Sequence, residues 1–194
     1  LGDDRIKVLT NKRNHGLAFS LNRILRISSS KYVARIDADD EMLPGRLITQ
    51  LSYLLENDNV SVLGTNAYYI DNKNKCITNV ILSYEKICKA LKFKNPMLHP
   101  TIMIDRSSIL NIGGYDESLL RGQDFDLWIR AMRSGLKIRN LAYCSVNINK
   151  RAGRSLKSII TEFKVNLILS FRHFLPLIAI FSFLGLTKNL LSRR

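Results

Sequence analysis

The stretch KYVARIDADDEMLPGRL, from Lys31 to Leu47, decides the fold because it joins an apolar segment directly to a cluster of acids. Residues 32–36 have the length and composition of a buried strand. Four acidic residues then follow within five positions, Asp37, Asp39, Asp40 and Glu41. Like charges this close repel one another, so either water screens them or a positive group lies among them.

Hydrophobic patterns on both sides of this stretch alternate between strand and helix. RIKVL (5–9) and VSVLGT (60–65) are short apolar runs of strand length. Helical spacing of apolar residues appears at 17–25 and 47–55, and Pro44 suits the first turn of the second helix. Strand, helix, strand, helix, strand in this order implies right-handed crossovers and a parallel sheet.

The second half of the chain predicts a hairpin added to the sheet, followed by further helices and strands. The hairpin is AYYI and CITNVI around the polar turn DNKNK. The later elements are a helix near SYEKICKALKF, a strand at HPTIMI, a helix at DFDLWIRAMRSG with Gly135 as its stop, and a strand at LKIRNLAYCSV.

Composition limits the class of protein. A length of 194 residues with 46% hydrophobic residues is enough for one domain with a sizeable core. The formal net charge is +14, and residues 150–194 contain nine Lys and Arg but one acid, Glu162. A basic tail indicates a polyanionic partner or an anionic membrane face. The three cysteines lack metal-ligand spacing, which favours a reducing compartment over a disulfide framework or zinc site.

The tail, residues 151–194, predicts a basic amphipathic helical segment beyond a domain of residues 1–150. Apolar residues recur at spacings of three and four from Leu156 to Phe174, and Pro176 interrupts the pattern. The uncharged run 174–186 is shorter than the roughly 20 residues of a bilayer span. We therefore expect an interfacial segment, with a core helix or a subunit contact as the alternative that the pattern leaves open.

The acidic cluster suits a divalent metal if it follows a parallel strand. Asp37 and Asp39 alternate along an extended segment, so they point together into the crevice where α/β sheets bind ligands. Carboxylates are ligands for Mg2+ and Mn2+, usually completed by substrate phosphates, and the metal would stabilise a departing diphosphate. The alternative is a solvated strand-to-helix turn in which Asp39 or Asp40 caps the helix.

An ordered series of motifs resembles the family 2 glycosyltransferases, which have the GT-A fold. NHGLAFSLN resembles that family's Asn-x-Gly-Leu segment, and ARIDADDEMLPGRL resembles its metal-binding DxD segment. HPTIMIDRSSILNIGGYDE and QDFDLWIRAMRSG resemble its acceptor-side and catalytic segments. Together they cover residues 14–141 in the family's order, which is more specific than any single motif.

The resemblance implies an α/β fold of GT-A type, a Rossmann-like mixed sheet with flanking helices. The family's first strand and the loop after it have no counterpart in the sequence. We therefore expect a domain that is truncated at its N-terminus and binds nucleotide weakly by itself, followed by the amphipathic helical tail.

On the donor side, the resemblance implies roles for two groups of residues. Asp37 and Asp39, with Asp40, would hold the divalent cation (Mg2+ or Mn2+) and the diphosphate of a sugar nucleotide. Asn14, Gly16 and Arg35 would lie near the nucleotide or the donor sugar.

On the acceptor side, the resemblance implies that Asp124 is the catalytic base. It would take the proton of the acceptor hydroxyl as that oxygen attacks the anomeric carbon, and this single displacement inverts the configuration. A carboxylate within hydrogen-bond reach is a sufficient base for such a step. Trp128 lies on the apolar side of a helix, which favours the core over a sugar platform, and Gly113–Gly114 also fits a plain turn. The acceptor-side residues implied in all are Gly113, Gly114, Gln123, Asp126 and Trp128.

The predicted function is therefore transfer of a sugar from a nucleotide-diphosphate sugar to a saccharide or lipid-linked acceptor, in bacterial surface-polysaccharide biosynthesis. The basic tail predicts a peripheral location on the cytoplasmic face of the membrane. Two alternatives are a truncated, inactive transferase that acts as a membrane-associated scaffold, and a basic nucleic-acid-binding module. The sequence lacks the interleaved basic and aromatic residues of the last class, so no nucleic-acid partner is expected.

Overall fold

The computed structural model of the chain describes residues 2–71, 74–149 and 156–191, which form a mixed sheet with flanking helices and a C-terminal helical hairpin. The strands are β1 (Tyr32–Ala34), β2 (Glu41–Met42), β3 (Val60–Asp71), β4 (Asn74–Ile77), β5 (Met103–Asp105) and β6 (Lys137–Asn149). The helices are α1 (Leu17–Ile27), α2 (Arg46–Glu56), α3 (Tyr84–Ala90), α4 (Arg106–Asn111), α5 (Gln123–Arg133), α6 (Leu156–Arg172) and α7 (Pro176–Leu191).

The sheet has the strand order β1-β5-β3-β6-β2, with β4 paired to β3. Among the strands of the described residues, β3 and β6 form the one parallel pair. β1 and β3 run in the same direction, as their crossover through α2 requires, but β5 lies between them and is antiparallel to both. The alternation thus predicted the direction of β1 and β3 but not the antiparallel strand between them, and the mixed sheet implied by the resemblance is confirmed.

Most predicted elements exist, with one exception at the start of the chain. Residues 5–9 form no strand, and the side chains of Ile6 and Val8 are exposed. An apolar run becomes a strand only when a neighbouring strand satisfies its backbone groups, and no described strand pairs with this one. The predicted hairpin is formed by β3 and β4, although residues 72–73 of its turn lie outside the described part of the chain.

One helix boundary departs from the prediction, at the start of α2 near the acidic cluster. α2 begins at Arg46, and its N-cap is Gly45 with φ of +80° and no side-chain cap. Asp39 and Asp40 therefore do not cap this helix, and Pro44 lies before its first turn. At the other end of the domain, α5 stops at Arg133 and is followed by Gly135 at φ +77°, as predicted.

The core lies where α5 packs under the sheet. Leu127 and Trp128 of α5 are completely buried in the same apolar cluster as Ile138 of β6. The C-terminal hairpin joins this cluster through Leu169 of α6 and Ile178 of α7. The tail is thus packed into the core of the domain.

In the described residues, neither the hairpin nor any other helix combines the length and apolarity needed to cross a bilayer.

Candidate active site

Arg35 is held at the end of β1, where the acidic loop begins. Its backbone N–H donates to the carbonyl of Ile102 at 3.1 Å, and its own carbonyl accepts from Arg46 at 2.8 Å. Its guanidinium is largely buried and forms an ion pair with Asp37. The other terminal nitrogen, Nη1, is buried without a hydrogen-bond partner in the described structure. A buried, unpaired guanidinium nitrogen is a ready donor for an anionic ligand.

The acids that follow Arg35 are tied to the end of β6. The Asp40 carboxylate accepts from the Asn149 backbone N–H at 3.1 Å, and the Glu41 carboxylate accepts from the Asn147 amide at 2.7 Å. Burial raises the pKa of Asp40, and the charges of Asp37 and Asp39 add to the increase. The positive group among the acids is thus Arg35, and the cluster still has an excess of negative charge.

The acidic loop could coordinate a divalent cation only if a bound ligand supplied further oxygen atoms. Within the described part of the chain, no three His, Cys, Asp or Glu side chains are grouped to hold a metal by themselves. Asp37 and Asp39 offer two carboxylates, which is the usual protein share of a Mg2+ site completed by phosphates. The donor set therefore fits a cation that arrives with a diphosphate.

Asp124, in the first turn of α5, receives a hydrogen bond of 2.7 Å from the Asn95 side-chain amide to Oδ2. Burial raises the pKa of this carboxyl, while hydrogen bonds from the Phe125 N–H and from Asn95, and the charge of Arg35, act in the opposite direction. The raised pKa makes Asp124 a stronger base than a solvated aspartate. Arg35 thus pairs with Asp37 and also has a small lowering effect on the pKa of Asp124.

A buried pair, His99 and Tyr115, has pKa values that the charge of Arg35 also affects. The His99 Nε2 and the Tyr115 hydroxyl are 2.9 Å apart, and both side chains are buried. Burial lowers the pKa of His99 to about 3, and Arg35 adds to the decrease. Burial also raises the pKa of Tyr115, with a further contribution from Asp124. His99 is therefore a neutral core residue at physiological pH.

The segment before α1 leads to a groove beside Arg35. The Asn14 side chain accepts from the Gly16 N–H at 2.9 Å, and Gly16, at φ +86°, begins α1. A groove of about 460 Å³ lies between α1 and the end of β1, and it is lined by Leu17, Arg35 and Asp37 among others. Asn14 and Gly16 thus lie at the entrance to the helix that forms one wall of this groove.

The structure places most of the predicted acceptor-side residues in structural positions. The Gly113–Gly114 turn packs on α1, since a Cβ on Gly114 would lie 2.5 Å from the Asn22 Oδ1. Arg130 holds the turn through the Gly114 carbonyl at 2.6 Å. Trp128 is completely buried in the core. Gln123 differs, because its buried Oε1 at the start of α5 has no hydrogen-bond partner in the described residues.

Asp126 is fully buried and links α5 to the C-terminal hairpin. Its carboxylate accepts from Arg130 Nε at 2.7 Å and from His173 Nε2 at 2.9 Å. Two positions apart on a helix, Asp126 points away from Asp124. Burial alone would raise the pKa of Asp126, but the hydrogen bonds from His173 and Arg130 and their charges hold it below its usual range. Asp126, which was predicted on the acceptor side, thus forms buried contacts with Arg130 and His173 inside the protein.

Two residues of the site had not been predicted. Arg46 is 1% exposed and holds both the Arg35 carbonyl and, at 3.2 Å, the Ile102 carbonyl. Its signal in the sequence was its spacing of four from Gln50, with which it forms a buried hydrogen bond of 2.9 Å. Asn95 had no signal, because only the folded chain brings it to Asp124.

The mixed sheet with flanking helices, with an acidic loop after β1, has the architecture of GT-A glycosyltransferase domains. The fold superposes on S. aureus TarS 1-349 in complex with UDP-GlcNAc with a TM-score of 0.62, at 16% identity, over 83% of this chain and 49% of that chain. The family model for Glycosyl transferase family 2 matches residues 2–113, and the chain belongs to this family.

Relatives with curated names share enough identity to support the same family. The Escherichia coli O-antigen biosynthesis glycosyltransferase WbnJ is 33% identical over 165 residues, which are 84% of this chain and 64% of that protein. The Escherichia coli UDP-Gal:alpha-D-GlcNAc-diphosphoundecaprenol beta-1,3-galactosyltransferase is 28% identical over 82% of this chain and 60% of its own length. The chain thus spans less than two thirds of these relatives.

Proposed function

We propose that this chain is the catalytic part of a glycosyltransferase that moves a sugar from a nucleotide-diphosphate sugar to an acceptor hydroxyl with inversion. The observation that carries the proposal is the position of Arg35. It pairs with Asp37 of the acidic loop, and its charge also acts on Asp124. One buried cation thus links a diphosphate-binding loop with a base, as a displacement between donor and acceptor requires.

Asp124 is the group that takes the proton from the acceptor hydroxyl. Its raised pKa suits this task, and the hydrogen bond from Asn95 fixes the orientation of its carboxylate. Gln123 precedes Asp124 at the start of α5, and its buried Oε1 has no hydrogen-bond partner in the described residues. The unpaired Nη1 of Arg35 is available to a diphosphate oxygen of the leaving group. In this proposal the acceptor oxygen attacks the anomeric carbon from the face opposite the leaving diphosphate, and this single displacement inverts the configuration.

Asp37 and Asp39 are the residues that would hold a divalent cation together with the donor diphosphate. Asp40 contributes negative charge behind them, while its carboxylate is bound to the backbone of Asn149. A cation in this position supplies stabilisation of the negative charge that develops on the leaving diphosphate.

The acceptor belongs to bacterial surface-polysaccharide assembly and is saccharide or lipid-linked. The relatives WbnJ and the galactosyltransferase named for a diphosphoundecaprenol substrate support this class. The C-terminal helical hairpin, formed by α6 and α7, supports a peripheral position on the cytoplasmic membrane face. Its side chains Phe171 and Phe174 are 74% and 88% exposed. Such exposed aromatic side chains with basic neighbours are typical of interfacial helices.

The proposal is tested by separating donor binding from transfer in the full-length protein. Asp124→Asn should abolish transfer while sugar nucleotides with Mn2+ still raise the melting temperature, because the donor side is intact. Asp39→Asn should remove the Mn2+-dependent increase as well. Asp58→Asn, an exposed acid outside the site, is the control. Full transfer by Asp124→Asn would contradict the assignment of the base, and membrane binding without donor binding would favour a scaffold.

A further inference from the structure

A groove of about 480 Å³ lies between the C-terminal hairpin and the start of α5. Its walls combine apolar and polar side chains and come from three parts of the chain: the segment after α3, the first turn of α5, and both helices of the C-terminal helical hairpin. The apolar lining residues are Phe93, Phe125, Ile159, Phe163, Phe181 and Leu186.

One end of the groove lies at the candidate base. Asn95 lines the groove and donates its 2.7 Å hydrogen bond to Asp124. Phe125, the residue after Asp124, also lines it. The hairpin approaches this point closely, since a Cβ on Gly122 would lie 2.6 Å from Val165 Cγ1. A ligand in the groove therefore ends within reach of the residues that receive the acceptor hydroxyl.

The groove combines aromatic side chains with charged residues of both signs, Lys94 beside the candidate base and Glu162 on α6. The rings of Phe93 and Phe181 meet edge-on with centroids 5.2 Å apart, while Phe181 is still 52% exposed. Lys94, beside Asn95, lines the rim and is exposed. An aromatic channel with an ammonium group near the reacting end is complementary to an apolar chain that carries an anionic head.

We infer that this groove binds the first part of the lipid chain of a lipid-diphosphate-linked acceptor, with the diphosphate at Lys94 and the sugar at Asp124. The inference rests on the proposed function, because it gives that acceptor a location.

The test uses decyl diphosphate as the probe, so that it needs neither donor nor transfer. Titration calorimetry on the full-length protein measures its affinity for wild type and for two matched pairs of variants. Phe181→Ser removes the groove wall, and Ile180→Ser removes an equally exposed neighbour, at 52% and 51%, that does not line the groove. Lys94→Gln removes the rim charge, and Lys92→Gln removes an exposed charge outside it.

Phe181→Ser should weaken decyl diphosphate binding about tenfold or more, from the loss of a buried aromatic contact. Ile180→Ser and Lys92→Gln should stay within about twofold of wild type, since neither residue touches the ligand. Lys94→Gln should weaken binding of decyl diphosphate but not of the uncharged detergent decyl maltoside. Equal losses in Phe181→Ser and Ile180→Ser, or equally tight binding of decyl maltoside by the wild type, would overturn the inference.

A second copy of the chain is the other occupant that the experiment distinguishes. Light scattering over a range of protein concentrations should show the same mass with and without decyl diphosphate. A dimer that the probe dissociates would show that the groove is a self-contact and would overturn the inference. If the probe binds as expected but sugar nucleotides do not raise the melting temperature, the groove stands and the proposed transferase function fails.

Discussion

Replacing Gly122 by Ala tests how closely the hairpin packs on the start of α5. Gly122 has φ of +71°, a conformation that costs an L-residue about 1–2 kcal/mol. The added Cβ would also lie 2.6 Å from Val165 Cγ1 and 3.4 Å from Leu169 Cδ1, and overpacking of this kind costs about 1–3 kcal/mol. We therefore expect the free energy of unfolding to fall by about 2–5 kcal/mol.

Gly135→Ala is the matched control for the backbone strain. Gly135 has φ of +77°, and a Cβ there would meet no atom within 4 Å. This variant should lose only the strain part, about 1–2 kcal/mol. Urea unfolding followed by circular dichroism measures both variants, and an unchanged m value would show that the difference lies in the native state. A melting temperature should fall by about 2–4 °C per kcal/mol at this chain length.

Adding Val165→Ala to Gly122→Ala removes the methyl group that the new Cβ meets. The double variant should therefore be more stable than the sum of the two single effects predicts, by about 0.5–3 kcal/mol. Equal losses in Gly122→Ala and Gly135→Ala, together with additivity of the two changes, would refute the close contact of α6 with α5.

Three further predictions follow from the titrating groups. Asn95→Ala removes a hydrogen bond that lowers the pKa of Asp124, so the acid limb of the kcat/KM profile should move to higher pH; an unmoved limb would place the base elsewhere. His99 stays neutral in the folded protein down to about pH 3, but in the unfolded chain it takes up a proton near pH 6.5. The free energy of unfolding should therefore fall below about pH 6.5, by up to about 1.4 kcal/mol per pH unit. His99→Gln should flatten that decline in urea titrations. Asp126→Asn should cost about 3–5 kcal/mol, whereas Asp116→Asn, a partly exposed partner of the same hairpin, should cost about 1 kcal/mol or less.

Much of the fold could be predicted because apolar periodicity reports which face of an element is buried. α1, α5 and the β3–β4 hairpin appear where their patterns place them. Strand neighbours could not be predicted in the same way. The insertion of β5 between β1 and β3 depends on contacts between distant segments, and no local pattern states that β5 runs antiparallel. Residues 5–9 show the converse, a strand pattern without a strand.

The candidate site could be predicted only where its residues are close together in the sequence. The pair Asp37 and Asp39 is visible in the sequence as two acids close together after an apolar run, although residues 37–40 form a hydrogen-bonded turn and not the predicted extended segment. The hydrogen bond from Asn95 to Asp124 joins two segments that are far apart in the sequence, and the residues of neither segment predict it. The burial of Asp126 could not be predicted, because the sequence does not show that His173 returns from the tail to form a hydrogen bond with it.

The pairing of Asp126 with His173 has a consequence for the order in which the chain acquires its structure. During synthesis, α5 leaves the ribosome well before His173 does, so the Asp126 charge at first has only Arg130 beside it. A buried carboxylate with too few partners is unfavourable, so α5 cannot settle into the core until the hairpin arrives. The helix that carries Asp124 is therefore fixed among the last parts of the domain. A nascent chain that stops before α6 retains its acidic loop but does not hold Asp124 rigidly in place.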